Sequence, residues 1–291
     1  MQSALFSENE FDRIVNVAVV PQRSPFRYPG GKTWLVPRIR RWIASLPALP
    51  KEFIEPFAGG GIVGLTVAFE GLADHVTLIE RDEQVAAVWE TMLNGGAARL
   101  AARIRQFDLT PETAQAELCR ENPTTEQRAF QTILRNRINH GGILAPGSGT
   151  LNKGENGRGI KSRWYPDTLA NRILAIESVK EKIRFVAGDG LRSICEKADC
   201  ADAAFFLDPP YTVAGKKAGN RLYTHFNLDH EALFAMAAKI RGSFLMTYDN
   251  AEGVHALAQT YGFDTQTISM KNTHHAEMTE LLIGRNLEWA R

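Results

Sequence analysis

The segment FIEPFAGGGIVGLTVAFEGLADHVTLIE, residues 53–80, constrains the fold more than any other part of the chain. A short apolar run is broken by Gly59, Gly60 and Gly61. An apolar helical run follows and stops at Gly71, and a second strand-like run ends in Glu80. Strand, turn, helix, strand is a βαβ unit, which builds a parallel sheet covered by helices. A further helix is expected from Asp82 to about Leu93. Strand-like runs return at KIRFVAGD, AAFFLD and GSFLMTYD.

Between them the alternation breaks. Thr124 and Gln127 have capping-box spacing, with Phe130, Ile133, Leu134 and Ile138 following at helical intervals. That helix should stop near Gly141. Residues 141–166 are dense in glycine and carry an Asn156-Gly157 turn signal, so an irregular hairpin or loop module is expected, then a helix over about 167–180. The fold class expected is α/β, interrupted by a small inserted domain. The boundaries expected are 1–104 and 167–291 for the two parts of the main domain and 105–166 for the insertion.

With 291 residues, 44% hydrophobic and 23% charged, the chain can bury a full core. Its formal net charge is only +1, so any affinity for nucleic acid must come from local asymmetry. Between Arg128 and Arg172 eight basic residues face two acidic ones, a local balance of +6. A basic, turn-rich segment is either a phosphate-contacting surface or a solvated loop. Cys119, Cys195 and Cys200 form no C-x-x-C pair, so neither disulfides nor a zinc site is expected, and a reducing cytosol is the default. The first residues, MQSALFSENEFDR, lack the basic-then-apolar order of a signal peptide. No apolar run approaches the roughly 18 residues of a membrane span.

Gly59, Gly61 and Gly64 fit G-x-G-x-x-G between a strand and a helix, with Glu80 about 20 residues on. Such glycines let a nucleotide cofactor approach the backbone, and the acid binds ribose hydroxyls. The pattern does not separate NAD from S-adenosylmethionine, and tight helix–strand packing alone also produces it. Gly31-Lys32-Thr33 has the ending of a P-loop, but Phe26 stands where that motif needs glycine, which excludes a nucleoside-triphosphate site.

AAFFLDPPYT, residues 203–212, is more specific. Ligands of open α/β sheets sit at the carboxyl ends of the strands, where Asp208 would stand. Pro209 and Pro210 carry no N–H and fix a stiff turn. The Asp208 carboxylate and the Pro209 carbonyl are then paired acceptors beside the flat face of Tyr211. Such a site suits a planar ring with an exocyclic amine: the acceptors take its two N–H bonds, and stacking adds about 1–3 kcal/mol. Drawing out both N–H bonds favours a pyramidal, nucleophilic nitrogen, and the carboxylate stabilises the charge that develops there. The bland reading is a turn whose acid caps a helix.

RYPGGK, FIEPFAGGG, a basic insertion and LDPPY follow one another in the order of the Dam-like alpha group of DNA adenine-N6 methyltransferases, which the chain resembles from about Phe26 to its C-terminus. The resemblance implies a Rossmann-like methyltransferase sheet with a small, mainly helical target-recognition insertion, and S-adenosylmethionine as methyl donor without a metal. By the same resemblance Tyr28, Lys32, Glu55, Phe57, Gly59, Gly61, Glu80, Asp189 and Asp208 bind the cofactor. Asp208, Pro209, Pro210 and Tyr211 form the catalytic motif. NRINHGG resembles the opening of the family's recognition domain and RWYP its close, so Asn136, Arg137, Lys153, Arg158, Lys161 and Arg163 are expected to contact DNA. One departure is Thr247-Tyr248 in place of a Ser-Asn pair.

The implied reaction is direct methyl transfer to an adenine flipped out of double-stranded DNA. A cytoplasmic monomer, bacterial or phage-encoded, is expected, with a cognate restriction nuclease as an allowed partner. The rivals are methylation of RNA adenine, cytosine-N4 transfer, glutamine methylation, an NAD oxidoreductase and a catalytically dead DNA-binding module.

Overall fold

A computed structural model of the chain describes residues 15–28, 30–154, 157–210, 228–271 and 277–291. Tyr211, Asn156 and the N-terminal residues considered for a signal peptide lie outside them.

The βαβ reading is the nucleus of a seven-stranded sheet. Its strands are β1 (Glu52–Glu55), β2 (His75–Glu80), β3 (Ile183–Ala187), β4 (Ala203–Leu207), β5 (Ser243–Asp249), β6 (Asp264–Lys271) and β7 (Glu277–Gly284). They lie in the order β3-β2-β1-β4-β5-β7-β6. The first five are parallel, and β7 runs antiparallel between β5 and β6. The chain leaves β1 towards β2 on one side and returns to β4 on the other. The carboxyl ends of β1 and β4 therefore flank the point where the strand order reverses, and crevices at such points take ligands.

Neighbouring residues within a strand serve opposite faces, as the pleat requires. Phe53, Phe206 and Leu245 join one core, while Ile54, Phe205, Leu207 and Met246 join the other. All five residues of β4 are buried, as in a parallel strand covered on both sides. Helix α1 (Val36–Ser45) and α2 (Ile62–Glu70) pack into the first core. Gly71 ends α2 in a left-handed turn, its N–H bonded back to the Ala68 carbonyl.

Between β2 and β3 the chain is mostly helical: α3 (Glu83–Thr91), α4 (Ala97–Gln106), α5 (Pro111–Leu118), α6 (Thr125–Ile138) and α7 (Pro166–Glu177). Asp82 caps α3 through the Gln84 N–H, and Thr124 and Gln127 form the capping box read for α6. Helix α6 stops at Ile138, slightly before Gly141. The loop beyond closes through an isolated bridge, Asn139 to Thr150, and a short helical turn, Gly159–Arg163. Phe130 and Ile133 of α6 and Ile173 of α7 belong to the same core as Phe53 and Val76 of the sheet. After β3 come α8 (Gly190–Lys197), α9 (His230–Lys239) and α10 (Glu252–Thr260). Among the described residues no helix is long and apolar enough to cross a membrane.

Candidate active site

The glycine loop hangs from β1 by hydrogen bonds that depend on its missing side chains. Gly59 and Gly61 adopt φ of +47° and +59°, a region that favours glycine. A Cβ on Gly61 would lie 2.6 Å from the Trp89 ring, and one on Gly59 would lie 2.7 Å from the Tyr28 ring. Trp89, on α3, donates its indole N–H to the Gly59 carbonyl at 3.0 Å.

Two buried acids brace the same loop. Glu55 ends β1 and accepts the Gly64 N–H at 2.7 Å. Burial pushes its carboxyl up to about 8, and Asp208 and Glu80 add to the rise while the Gly64 N–H opposes it. Glu80 ends β2. One of its oxygens accepts from Gly59 N and the other from Arg81 N and Asp82 N, each at 2.8 Å. Burial raises its pKa against these three bonds. Three N–H bonds occupy three of a carboxylate's roughly four lone-pair sites, which leaves capacity for a hydroxyl.

Asp208 extends from the end of β4 to the same edge. Its Oδ1 lies 3.0 Å from Lys32 Nζ and accepts the Thr247 hydroxyl at 2.8 Å. Lys32 is only 3% exposed and reaches in from the turn before α1. It also donates to the Gly30 carbonyl at 2.9 Å and lies 3.7 Å from Glu280 on β7. The trio of Lys32, Asp208 and Glu280 thus carries a formal charge of one minus. Pro209 is buried beside it and Pro210 is half-buried. Tyr248, the neighbour of Thr247, is buried with its hydroxyl 2.9 Å from His230 Nδ1. Burial, then Asp208, raises the phenol's pKa, and burial lowers that of His230.

Tyr28, Lys32, Glu55, Gly59, Gly61, Glu80 and Asp208 therefore gather at the carboxyl ends of β1, β2 and β4. Phe57 packs at the edge of the second core, next to Gly190. Asp189 stands apart on the rim, where it caps α8 through the Arg192 N–H and lies 3.4 Å from Arg81. Thr247 and Glu280 were not singled out as site residues. Thr247 was marked only as a departure from the family's Ser-Asn pair, and Glu280 stands in a strand whose polar residues Glu277 and Thr279 give it no distinction.

The expected DNA contacts divide. Asn136 and Arg137 are not at a surface, which corrects the reading of NRINHGG. Asn136 is fully buried: its Oδ1 accepts Arg27 N at 2.8 Å, and its Nδ2 donates to the carbonyls of Arg27 and Gly142. Arg137 is buried and donates to the Pro25 carbonyl. The strap of residues 24–28 has no strand partner, so its carbonyls take these donors instead. Lys153 and Arg163 line an open pocket. Arg158 lies over the half-exposed Tyr165 ring, and Lys161 is 3.6 Å from Asp108. Among the described residues no group of three or more His, Cys, Asp or Glu could hold a metal ion.

No curated protein matches the chain in sequence. Among solved structures, the rRNA methyltransferase aviRa of Streptomyces viridochromogenes is similar at 14% identity and a TM-score of 0.43, over 95% of this chain and 96% of that one. A candidate RNA methyltransferase from Pyrococcus horikoshii is similar at 11% identity and a TM-score of 0.40, over 94% and 92%. Residues 28–112, which hold Tyr28, Lys32, Glu55, the glycine loop and Glu80, match the family described as D12 class N6 adenine-specific DNA methyltransferase. That segment, under a third of the chain, is thus similar to the D12 class of N6 adenine-specific DNA methyltransferases, a family whose description implies S-adenosylmethionine as methyl donor and DNA as substrate.

Proposed function

We propose that the protein methylates the N6 amine of an adenine flipped out of double-stranded DNA, at a specific sequence, with Asp208 as the central catalytic residue. The observation that carries this reading is the meeting of Asp208, Lys32 and Thr247 beside the glycine loop at the switch point of the sheet. S-adenosylmethionine, when bound, supplies an electrophilic methyl group whose sulfur keeps the bonding electron pair. Gly59, Gly61 and Phe57 would face it with backbone and ring, Glu80 would take a ribose hydroxyl, and Tyr28, Lys32, Glu55 and Asp189 would complete its surroundings. The fit rests on the side-chain-free surface at Gly59 and Gly61 and on the unspent acceptor capacity of Glu80.

Flipping costs about a few kcal/mol of lost stacking and pairing. Tyr211 would recover part of that by stacking on the base. Asp208 and the Pro209 carbonyl would accept the two amine N–H bonds. As N6 gains its bond to carbon it becomes cationic, and Asp208 stabilises that charge and takes the departing proton. Lys32 and Thr247 hold Asp208 in place meanwhile. With Glu55 mostly protonated at neutral pH, the buried cluster is not overloaded with negative charge.

The segment 105–166 is proposed as the target-recognition part, with Lys153, Arg158, Lys161 and Arg163 towards phosphates. The protein would work as a monomer in the cytoplasm, alone or beside a cognate nuclease. Expression in a strain free of DNA methylation, followed by mapping of modified adenines, tests the reading. A single methylated sequence motif is expected with the natural protein and none with Asp208→Ala, whose cofactor Kd should stay within a few fold. A methylating Asp208→Ala variant, or modified RNA adenines with unmodified DNA, would sink it.

A further inference from the structure

Between the strap and the loop after α6 lies a pocket of about 520 Å³. Arg27, His140, Lys153, Ser162 and Arg163 line it, and no Asp or Glu is among its described lining residues. Arg27 is half-buried, and burial and then Arg163 hold its guanidinium below the usual range. Behind it Arg172 donates to the Ser24 carbonyl at 3.2 Å, and Arg137 donates to that of Pro25. Arg137 Nε is buried without a hydrogen-bond partner. Burial pushes Arg137 down to about 9, and repulsion from Arg172, Arg27 and Arg163 adds to the fall, yet it stays charged at neutral pH. Four guanidiniums thus crowd one another around a strap whose backbone carbonyls are neutral. Their mutual repulsion falls when an anion enters the pocket.

We propose that this pocket holds one backbone phosphate of bound DNA, gripped by Arg27 and Arg163, with Lys153 at its mouth. The proposal rests on the DNA reading above and names a contact within it. Forked guanidinium donors suit a phosphate, and the volume admits the flanking sugars as well. The position also gives the phosphate a route to the catalytic side. Asn136 clamps both backbone polar groups of Arg27, and the next residue, Tyr28, lies against Gly59. A phosphate that fixes Arg27 therefore fixes the strap on the glycine loop, so cofactor and DNA should each tighten the other's binding by the same factor.

The test is the salt dependence of binding to a duplex by the full-length protein, from 50 to 200 mM salt. Each phosphate that a variant no longer neutralises makes the slope of log K against log salt about 0.9 less negative. Arg27→Ala and Arg163→Ala are each expected to show that change and about tenfold weaker binding, equally on target and unrelated sequence. Lys51→Ala, whose lysine pairs with Asp202 beyond the amino end of β1, should leave the slope unchanged. Arg27→Ala should also abolish the tightening of cofactor binding by DNA. Should Arg27→Ala fail to fold, Arg163→Ala and Arg27→Lys (slope kept, affinity reduced) carry the slope measurement. Unchanged slopes in a protein that still methylates DNA overturn the pocket alone. So does a failure of the variants to bind inorganic phosphate while their DNA slope stays intact, which would mark a site for small phosphates. A natural protein that neither binds nor methylates duplex DNA overturns both proposals.

Discussion

Asp208 Oδ1 is held by two donors of different kinds: the Lys32 ammonium at 3.0 Å and the Thr247 hydroxyl at 2.8 Å. Lysine sets the charge around the carboxylate, and threonine, fixed on a buried strand, sets its orientation. Hydrogen bonds to charged groups are worth about 1.5–3 kcal/mol. Thr247→Val keeps the shape and removes the donor, so the rate of methyl transfer in single-turnover measurements should fall roughly tenfold or more. Cofactor Kd should stay near that of the natural protein, and Thr247→Ser should restore the rate. A valine variant of full rate would remove Thr247 from the positioning role. Glu55 offers a second test, by pH. Its carboxyl ionises near 4.5 when unfolded and near 8 when folded, so within that window the folded chain binds more protons. Stability from this group therefore falls as pH rises from about 4.5 through about 8, by on the order of a few kcal/mol. Glu55→Gln keeps an acceptor for the Gly64 N–H and cannot ionise. Urea midpoints at pH 6 and pH 8.5 should drop less between the two in Glu55→Gln than in the natural protein; equal drops would show that Glu55 titrates normally.

At the scale of elements, the loop before α2 and the helix α3 are locked together at Gly61. An alanine there meets both a φ of +59° and the Trp89 ring 2.6 Å away. Strain in that region costs about 1–3 kcal/mol before any clash. Gly61→Ala should lower the urea midpoint and weaken cofactor binding at least tenfold, read by denaturation and by calorimetric titration; normal binding would show that the loop tolerates a side chain. Elements of this kind were legible because their signals are local. The strands β1 to β5 announce themselves as apolar runs, and α6 by its Thr124–Gln127 box. The acid-Pro-Pro segment was legible too, since Asp208 follows a strand directly. What could not be read were contacts made across the sheet. Thr247 meets Asp208 over 39 residues of chain, and Glu280 approaches Lys32 from β7, a strand whose neighbours only the sheet order fixes. Asn136 and Arg137 were misread for a related reason. Polar residues near a helix end look exposed, yet here a strap more than a hundred residues earlier in the chain brings them its unpaired backbone groups.

For the whole molecule, the relation of the helical segment to the sheet decides how the chain unfolds. Phe130, Ile133 and Leu134 of α6 and Leu169 and Ile173 of α7 are buried in one core with Phe53, Val76 and Leu78. Asn136 and Arg137 add buried polar bonds from α6 to the strap, which in turn rests on the glycine loop through Ser24 and Gly60. Removing the segment would expose both faces of that contact, and buried apolar surface is worth about 25 cal/mol per Å². A segment of some sixty residues is marginal by size, and this one shares its apolar side chains with the core of the sheet, so it is expected not to fold alone. Two results should follow. The full chain should unfold in one transition, with the calorimetric enthalpy equal to the van't Hoff value. The excised segment 105–166 should show no cooperative transition by circular dichroism. Two separate transitions, or a segment that folds by itself, would mean that the recognition part is an independent domain. In that case strap and glycine loop would no longer transmit DNA binding to the cofactor side. If the single transition holds, duplex DNA and S-adenosylmethionine added together should raise its midpoint more than the sum of their separate shifts, since each ligand orders the strap that the other needs.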